Sequence, residues 1–361
     1  MMTTINIAAV GDILMWERQI ESAKLTNGKY SFDDMFKEVK PYLSQADLTI
    51  GNLETTFFGR EQNYIQRQQK TLWPLFNCPD ELAGTLKNSG FDVLTTANNH
   101  CLDRGVTGLK RTLDILDQHQ ILHTGTFRSK TESQNFLITN VKGISIGILS
   151  FTYGTNVALN QGDPPWLVNY MTTDVETNIS KLRKQVDVLI VCLHFGIEFK
   201  RYPSLVQKKW VKNCFAFGAD VILGVHPHVI QPFALEQIKD REGITKPRFV
   251  IYSLGNFISD RFGNYVPNRR GKFIPERLQN IHNDSGLILN LKITKDKQGD
   301  TRITDFSYVP TWVHLNKNDG IKFSVLPVQI PSPYDVTSTD IETIKQVWEN
   351  TTSHLKGKVE F

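Results

Sequence analysis

The amino-acid sequence predicts an α/β fold. Short apolar runs alternate with longer amphipathic segments, the pattern of strands separated by helices. Polar and ionisable residues recur directly after these runs, and in open α/β sheets ligands bind at the carboxyl ends of strands. The chain has 361 residues, 40% of them hydrophobic, which is ample for a core in one large domain or two ordinary ones.

Strand-like runs lie at 5–10, 46–50, 92–96, 144–151, 187–193, 221–225 and 249–254. Between them, 106–119 places Leu109, Leu113 and Leu116 at helical spacing, and 178–185 and 205–217 also read as helices. Asp80-Glu81-Leu82 resembles a helix start, with acids in the first turn. After about Asp260 the texture changes: 261–279 is basic and contains Pro and Gly, as loops do. The period-2 runs 287–293 and 303–309 follow as a hairpin or edge strands, and Pro327, Pro331 and Pro333 mark an extended arm before a helix at 340–349. This divides the chain into a core, 1–260, and a carboxyl part, 261–361, made of a basic loop, strands completing the sheet, and an arm with its helix.

Lys and Arg number 41 against 37 Asp and Glu, a net charge of +4 that is too mild to imply a nucleic-acid partner. The four cysteines show no Cys-x-x-Cys spacing, and Cys192 and Cys214 lie in apolar runs, as buried free thiols do. The amino terminus passes straight into a strand-like run without a basic n-region or long apolar h-region. No stretch approaches the roughly 20 apolar residues of a membrane helix. The expectation is a soluble, cytoplasmic chain with no membrane span.

Gly11-Asp12 follows the first strand run, and Gly51-Asn52-Leu53-Glu54 the second. Ala97-Asn98-Asn99-His100 follows the third; His194, Gly196 and Glu198 follow the fifth. His226-Pro227-His228 follows the sixth, and Ser253-Leu254-Gly255-Asn256 the seventh. Singly, each is ordinary, since Asp and Asn are common turn residues. Parallel strands bring their carboxyl ends to one edge, so together they predict two acids, an Asn and four histidines in one place. Such a burial is costly unless something pairs the groups, and His, carboxylate and amide oxygen suit zinc, manganese or iron. In extended chain, with Pro227 favouring extension at His226, the two imidazoles of the His-Pro-His clip point the same way.

These motifs resemble, in order and over roughly residues 5 to 258, the capsule-synthesis protein CapA family, also called poly-γ-glutamate synthesis proteins. That family is similar in fold to the calcineurin-like metallophosphatases. The resemblance implies an αββα sandwich of two mixed sheets flanked by helices, with one or two divalent ions (Mn, Fe or Zn). By the same resemblance Asp12 and His228 bind a first metal, Glu54 stands at the bridging position, and Asn99, His194 and His226 complete a second. His100 then faces the substrate's anionic oxygen as hydrogen-bond donor or general acid, and Asn52 belongs to the substrate side. Metallophosphatases begin Asp-x-His, whereas Leu14 occupies that place here, and Glu54 stands where they carry Asp; within the capsule family's own pattern, Phe199 stands where a Tyr is expected after Glu198.

Arg201, Arg269 and Arg270 are candidates for binding an anionic substrate, since guanidinium suits carboxylate and phosphate. Lys208, Lys209 and Lys212 read as a solvated helix face. Trp73, Trp166 and Phe262 are candidates to line a cleft. The leading expectation is a metal-dependent hydrolase acting on an anionic polymer such as poly-γ-glutamate, or on a small anionic ester. The alternative is a non-catalytic polyanion-binding component working with other capsule-synthesis proteins. A serine esterase is disfavoured because Asp12-Ile13 offers no nucleophilic Ser.

Overall fold

The computed structural model describes residues 2–260, 281–317 and 320–355, together with the backbone of two short strands between them. The chain begins with β1 (Thr3–Ile13), α1 (Glu17–Ser22), α2 (Asp33–Phe36), α3 (Lys40–Ser44) and β2 (Leu48–Leu53). There follow β3 (Gln66–Arg67), β4 (Pro74–Leu75), α4 (Glu81–Asn88), β5 (Val93–Thr95), α5 (Gly105–Gln118) and β6 (Leu122–Thr124). Next come α6 (Lys130–Gln134), β7 (Leu137–Val141), β8 (Ile144–Thr152), α7 (Val175–Arg183), β9 (Val188–His194) and α8 (Leu205–Ala216). Then run β10 (Val221–Val225), β11 (Ile230–Lys239), β12 (Thr245–Leu254), β13 (Asn256–Ile258), β14 (Val266–Pro267) and β15 (Phe273–Ile274). The chain closes with β16 (Ser285–Lys295), β17 (Thr301–Asn316), β18 (Lys322–Pro327) and α9 (Ser338–Leu355).

Two mixed sheets carry the architecture. The first has the order β18-β17-β16-β1-β2-β5-β6, with β13 pairing β1, and the second β11-β12-β10-β9-β8-β7. In the first, β1, β2, β5 and β6 are parallel, while β16 runs antiparallel along β1. In the second, β8, β9, β10 and β12 are parallel, with antiparallel β7 and β11 at the edges. Strands β16, β17 and β18 thus share a sheet with the first strand.

Alternation along the strands sorts side chains into layers. Ile5, Ile7, Ile50 and Val93 of one sheet meet Ile146, Ile190, Leu223 and Ile251 of the other in a central cluster. Ala8, Val10 and Leu94 point the opposite way, into a layer with Phe36, Leu43, Leu82 and Leu86 of the helices. On the far face, Leu189, Val191 and Ile222 pack on Ile179, Leu182, Val211 and Phe215 of α7 and α8. The result is the expected αββα sandwich. Strands buried on both faces explain why the sequence shows continuous apolar runs there, each large buried side chain contributing about 1.5–3 kcal/mol. The antiparallel edges β7 and β11 and the short β6 were not among the expected strands. Their half-exposed faces dilute the apolar signal.

A Cβ on Gly11 would lie 1.8 Å from the carbonyl oxygen of Gly255. Only glycine lets β1 pass so close to the loop after β12, where the Asp12 N–H donates to that same oxygen at 3.0 Å. All four cysteines are buried and free. Helix α9 packs Ile344 and Val347 on Trp312 and Leu326. Among the described residues no helix is long and apolar enough to cross a membrane.

Candidate metal centre

The carboxyl ends of the parallel strands of both sheets open at the same end of the sandwich. Asp12 lies within β1 and is in register with Asn52 of β2. Asn52 Nδ2 donates to Asp12 Oδ1 at 2.8 Å, and Asn52 Oδ1 accepts from the Thr95 hydroxyl at 3.2 Å. Both ends of the Asn52 amide are thereby engaged, so its contact in the structure is one of orienting Asp12. Glu54 follows β2 and is anchored by its N–H, which donates to the Ile13 carbonyl at 3.0 Å. Its carboxylate is completely buried, and neither oxygen has a hydrogen-bond partner among the described residues.

The histidines arrive from the second sheet. His194 ends β9, and His226 and His228 follow β10. The clip is not extended: His226 has φ +97° and His228 φ +57°. The chain must turn at once to enter β11, which runs back along β12. The turn overrides the pre-proline preference, and left-handed conformations of non-glycine residues cost of order 1–3 kcal/mol each. The imidazoles still converge, with ring centroids 6.0 Å apart, and His194 lies 4.7 Å from His226. One bond to a side chain and one between backbones hold the loop. The His226 N–H donates to Asp12 Oδ2 at 3.3 Å, and the Phe199 N–H donates to the Pro227 carbonyl at 2.8 Å.

Neighbouring groups fix which nitrogen of His228 faces the cluster. Asn256 Nδ2 donates to the Asn283 carbonyl at 2.8 Å, so its Oδ1 is the atom 2.9 Å from His228 Nδ1. An amide oxygen only accepts, so Nδ1 carries the proton. Asp12 Oδ2 at 3.2 Å shares that proton, and Nε2 is left facing Glu54 Oε1 at 3.9 Å. A ring N–H held by oxygen groups behind a ligating nitrogen is the usual support of a metal-binding histidine. His194 Nε2 lies 2.9 Å from Asn99 Oδ1 and 3.5 Å from Glu54 Oε1.

Glu54, His226 and His228 form one group whose ligand atoms lie within 4.8 Å of one another, and Asp12, Glu54 and His194 form another. Glu54 is common to both. Electrostatics match this donor set. Burial, reinforced by Asp12 and more distantly by Glu198 and Asp103, pushes the Glu54 carboxyl well above its ordinary value. Burial and the neighbouring imidazoles depress His194 well below the usual range, and bring His226 to about 3. Burial alone would lower His228 too, but its hydrogen bond and attraction to Asp12 prevail, and it is raised. His194 Nδ1 and His226 Nδ1 are likewise buried without partners among the described residues. Neutral imidazole lone pairs around an unpaired carboxylate fit a divalent cation.

His100 stands beside this group. Its Nδ1 is 2.7 Å from Asp103 Oδ2, its ring meets Phe76 edge-on at 4.6 Å, and Asn156 Nδ2 lies 3.5 Å from Nε2. Asp103 is held in turn by the Phe76 N–H at 2.6 Å. Arg201 lies elsewhere in its contacts, its guanidinium donating to the Asn350 carbonyl on α9 at 3.1 Å. Arg269, Arg270 and Phe262 fall outside the described residues. Trp73 is exposed, and Trp166 packs on the cluster around Leu109 and Leu167. Leu14 is a fully buried core residue.

Tyr153 was missed. Its N–H donates to the His194 carbonyl at 3.0 Å, and its half-exposed ring lies parallel to His194 at 6.3 Å and 4.7 Å from His226. It follows the fourth strand run, which no carboxylate or histidine directly follows, so inspection of strand ends for ligands passes over it. Asn256 and Asp103 sit in motifs noticed in the sequence, but their supporting roles depend on long-range partners.

Fold and cluster together define a four-layer α/β sandwich whose strand ends gather carboxylates and histidines around a common point. The chain belongs to the bacterial capsule synthesis protein PGA_cap family, whose model matches residues 6–261. It is 29% identical over 262 residues to the capsule biosynthesis protein CapA of Bacillus anthracis, covering 71% of this chain and 60% of that protein. It is 28% identical over 350 residues to the PGA biosynthesis protein CapA of Bacillus subtilis (strain 168), covering 94% of this chain and 76% of that one. The match therefore spans less than two thirds of the B. anthracis protein. Among solved structures, the NAD nucleotidase of Haemophilus influenzae aligns with a TM-score of 0.48 at 13% identity, covering 97% of this chain and 56% of that one. Purple acid phosphatase PPD1 from yellow lupin aligns with a TM-score of 0.36 at 9% identity, covering 85% and 53%.

Proposed function

We propose that the protein is a metal-dependent hydrolase of capsule or poly-γ-glutamate metabolism, metallophosphatase-like in chemistry. Its substrate is an anionic polymer, or a small anionic phosphate or amide ester. The observation that carries this reading is the buried Glu54 carboxylate, without a hydrogen bond among the described residues and set between Asp12 and three histidines. Asp12, Glu54, Asn99, His194, His226 and His228 would hold one or two ions of Mn, Fe or Zn. A bound divalent ion supplies Lewis acidity and a water acidic enough to deliver hydroxide near neutral pH.

The chain's own residues do the rest. Asp103 accepts from His100 Nδ1 and orients the ring; as an imidazolium, His100 would carry a second proton on Nε2 to donate to the departing or anionic oxygen and would be left with the Nδ1 proton alone. Tyr153 shields one face of His194 and His226 from water. Asn52 and Asn256 hold Asp12 and His228 in their ligand orientations.

The test is hydrolysis of bis(p-nitrophenyl) phosphate and of poly-γ-glutamate by manganese-loaded protein. The expected result is turnover of at least one, reduced by about 10²-fold or more in His100→Ala with metal content retained. No turnover of either by loaded protein sinks the hydrolase reading.

The buried Leu14 favours a second reading, because the first metal lacks the histidine that metallophosphatases place there. In that reading the protein binds polyanion without cleaving it. Polymer binding that survives both chelation and Glu54→Gln supports it, and loss under both treatments rejects it.

A further inference from the structure

Four large apolar side chains protrude from one short stretch at the rim of the histidine cluster. Leu205 is 84% exposed, Tyr202 71%, Val206 66% and Ile197 55%. Single exposed apolar residues are normal, but such grouping marks an interaction surface. The stretch is held from beneath. The buried Gln231 donates through Nε2 to the carbonyls of Lys200 and Tyr202, at 2.7 and 3.3 Å, and its Oε1 accepts from the buried Gln207 at 2.8 Å. Ser204 caps α8 by accepting from the Gln207 N–H at 3.2 Å, and His354 of α9 reaches the Arg201 carbonyl at 2.8 Å. Backbone polar groups are thus turned inward while the apolar side chains face out.

Exposures this high belong to a convex ridge, not to a groove that would receive a peptide or helix. The charge of the ridge and the helix after it is mostly positive, with Glu198 the one acid between 197 and 219. From 199 to 219 the sequence contains Lys200, Arg201, Lys208, Lys209 and Lys212 and no Asp or Glu. Lys200, Lys209 and Lys212 are exposed. Aliphatic and aromatic side chains beside the exposed Lys200, Lys209 and Lys212 match the interface of a bilayer with anionic headgroups. A free anionic polymer would engage the lysines but gain little from Leu205 and Val206.

We propose that the 197–206 ridge inserts into the surface of an anionic lipid bilayer. The loop that carries it is bonded to the His226–His228 turn through Phe199 and Pro227, so docking would set the mouth of the histidine cluster against the membrane. This holds whether or not the cluster is catalytic.

The test is flotation of the full chain with phosphatidylcholine vesicles made with and without phosphatidylglycerol. Binding is expected to the anionic vesicles, weaker to the neutral ones. It should fall at least about tenfold in Leu205→Glu with Val206→Glu, and fall with salt. The exposed Ile244→Glu, in the β11–β12 turn, should bind as the unsubstituted protein does. Should the Leu205/Val206 pair melt early, Lys209→Glu with Lys212→Glu must still weaken binding to the anionic vesicles. Absence of vesicle binding by the unsubstituted protein overturns the proposal, as does binding indifferent to both pairs. So does self-association abolished by the Leu205/Val206 pair without vesicle binding, which would make a second copy the occupant.

Discussion

Replacing Glu54 with Gln should make the metal-free protein more stable and the metal-binding protein disappear. Glu54 is completely buried, with neither oxygen hydrogen-bonded among the described residues, and burial with the nearby Asp12 raises its carboxyl well above the ordinary value. At neutral pH the metal-free fold either keeps an unpartnered charge or takes up a proton the unfolded chain does not hold, and either burdens the native state. An unsatisfied buried polar group costs about 1–3 kcal/mol, more when charged. Gln keeps the shape and supplies donors toward His194 and His228. The expected gain of about 1–3 kcal/mol corresponds to roughly 1–4 °C in Tm for a chain of this length. Metal at a hundredfold excess over its Kd adds about 2.7 kcal/mol to the unsubstituted protein and nothing to the variant. The sign with pH follows from a raised folded pKa. Glu54 leaves stability intact below the ordinary carboxylate range and removes it as pH rises through the folded value. The advantage of Gln therefore grows with pH and vanishes near pH ~4. Thermal melts with EDTA and with manganese, across pH, measure this. A variant less stable than the parent in EDTA, or one still stabilised by metal, refutes the reasoning.

Other outcomes follow from the same geometry. Asn256→Leu removes the acceptor that fixes His228 Nδ1 and should weaken metal binding by about 10–100-fold, measured by calorimetric titration, with the fold retained. Gly11→Ala places a Cβ 1.8 Å from the Gly255 oxygen and should cost about 3 kcal/mol or more in denaturant unfolding. Asp187 joins the sheets through Lys295, at 2.8 and 2.9 Å, and through Ser145. Although burial opposes it, these bonds lower its carboxyl. Asp187→Asn should then lose about 1–2 kcal/mol at neutral pH, a difference that fades as pH falls through the depressed folded value and is absent in strong acid.

Much of the fold was legible because its central strands are buried on both faces. Runs such as 187–193 and 221–225 need no alternation to be seen, whereas the edges β7 and β11 alternate with exposed residues and escape notice. The candidate site was legible wherever an ionisable residue directly follows a strand, as with Glu54, His194 and His226. The conformation of the clip was not. Pro227 argues for extension at His226, but the return into β11 demands φ +97° there, a tertiary requirement invisible within the motif. Tyr153 and the tautomer of His228 depend on partners far away in sequence, His194 and Asn283 among them. Asn52 shows the reverse case, a motif residue whose amide is spent on Asp12 and Thr95.

The most direct test of the metal centre is elemental analysis of purified protein, before and after reconstitution, beside His226→Ala with His228→Ala. Bound Mn, Fe or Zn near or above one ion per chain, lost in the double variant, is the predicted result. Metal at background after reconstitution, or content unchanged by removing both imidazoles, would contradict it.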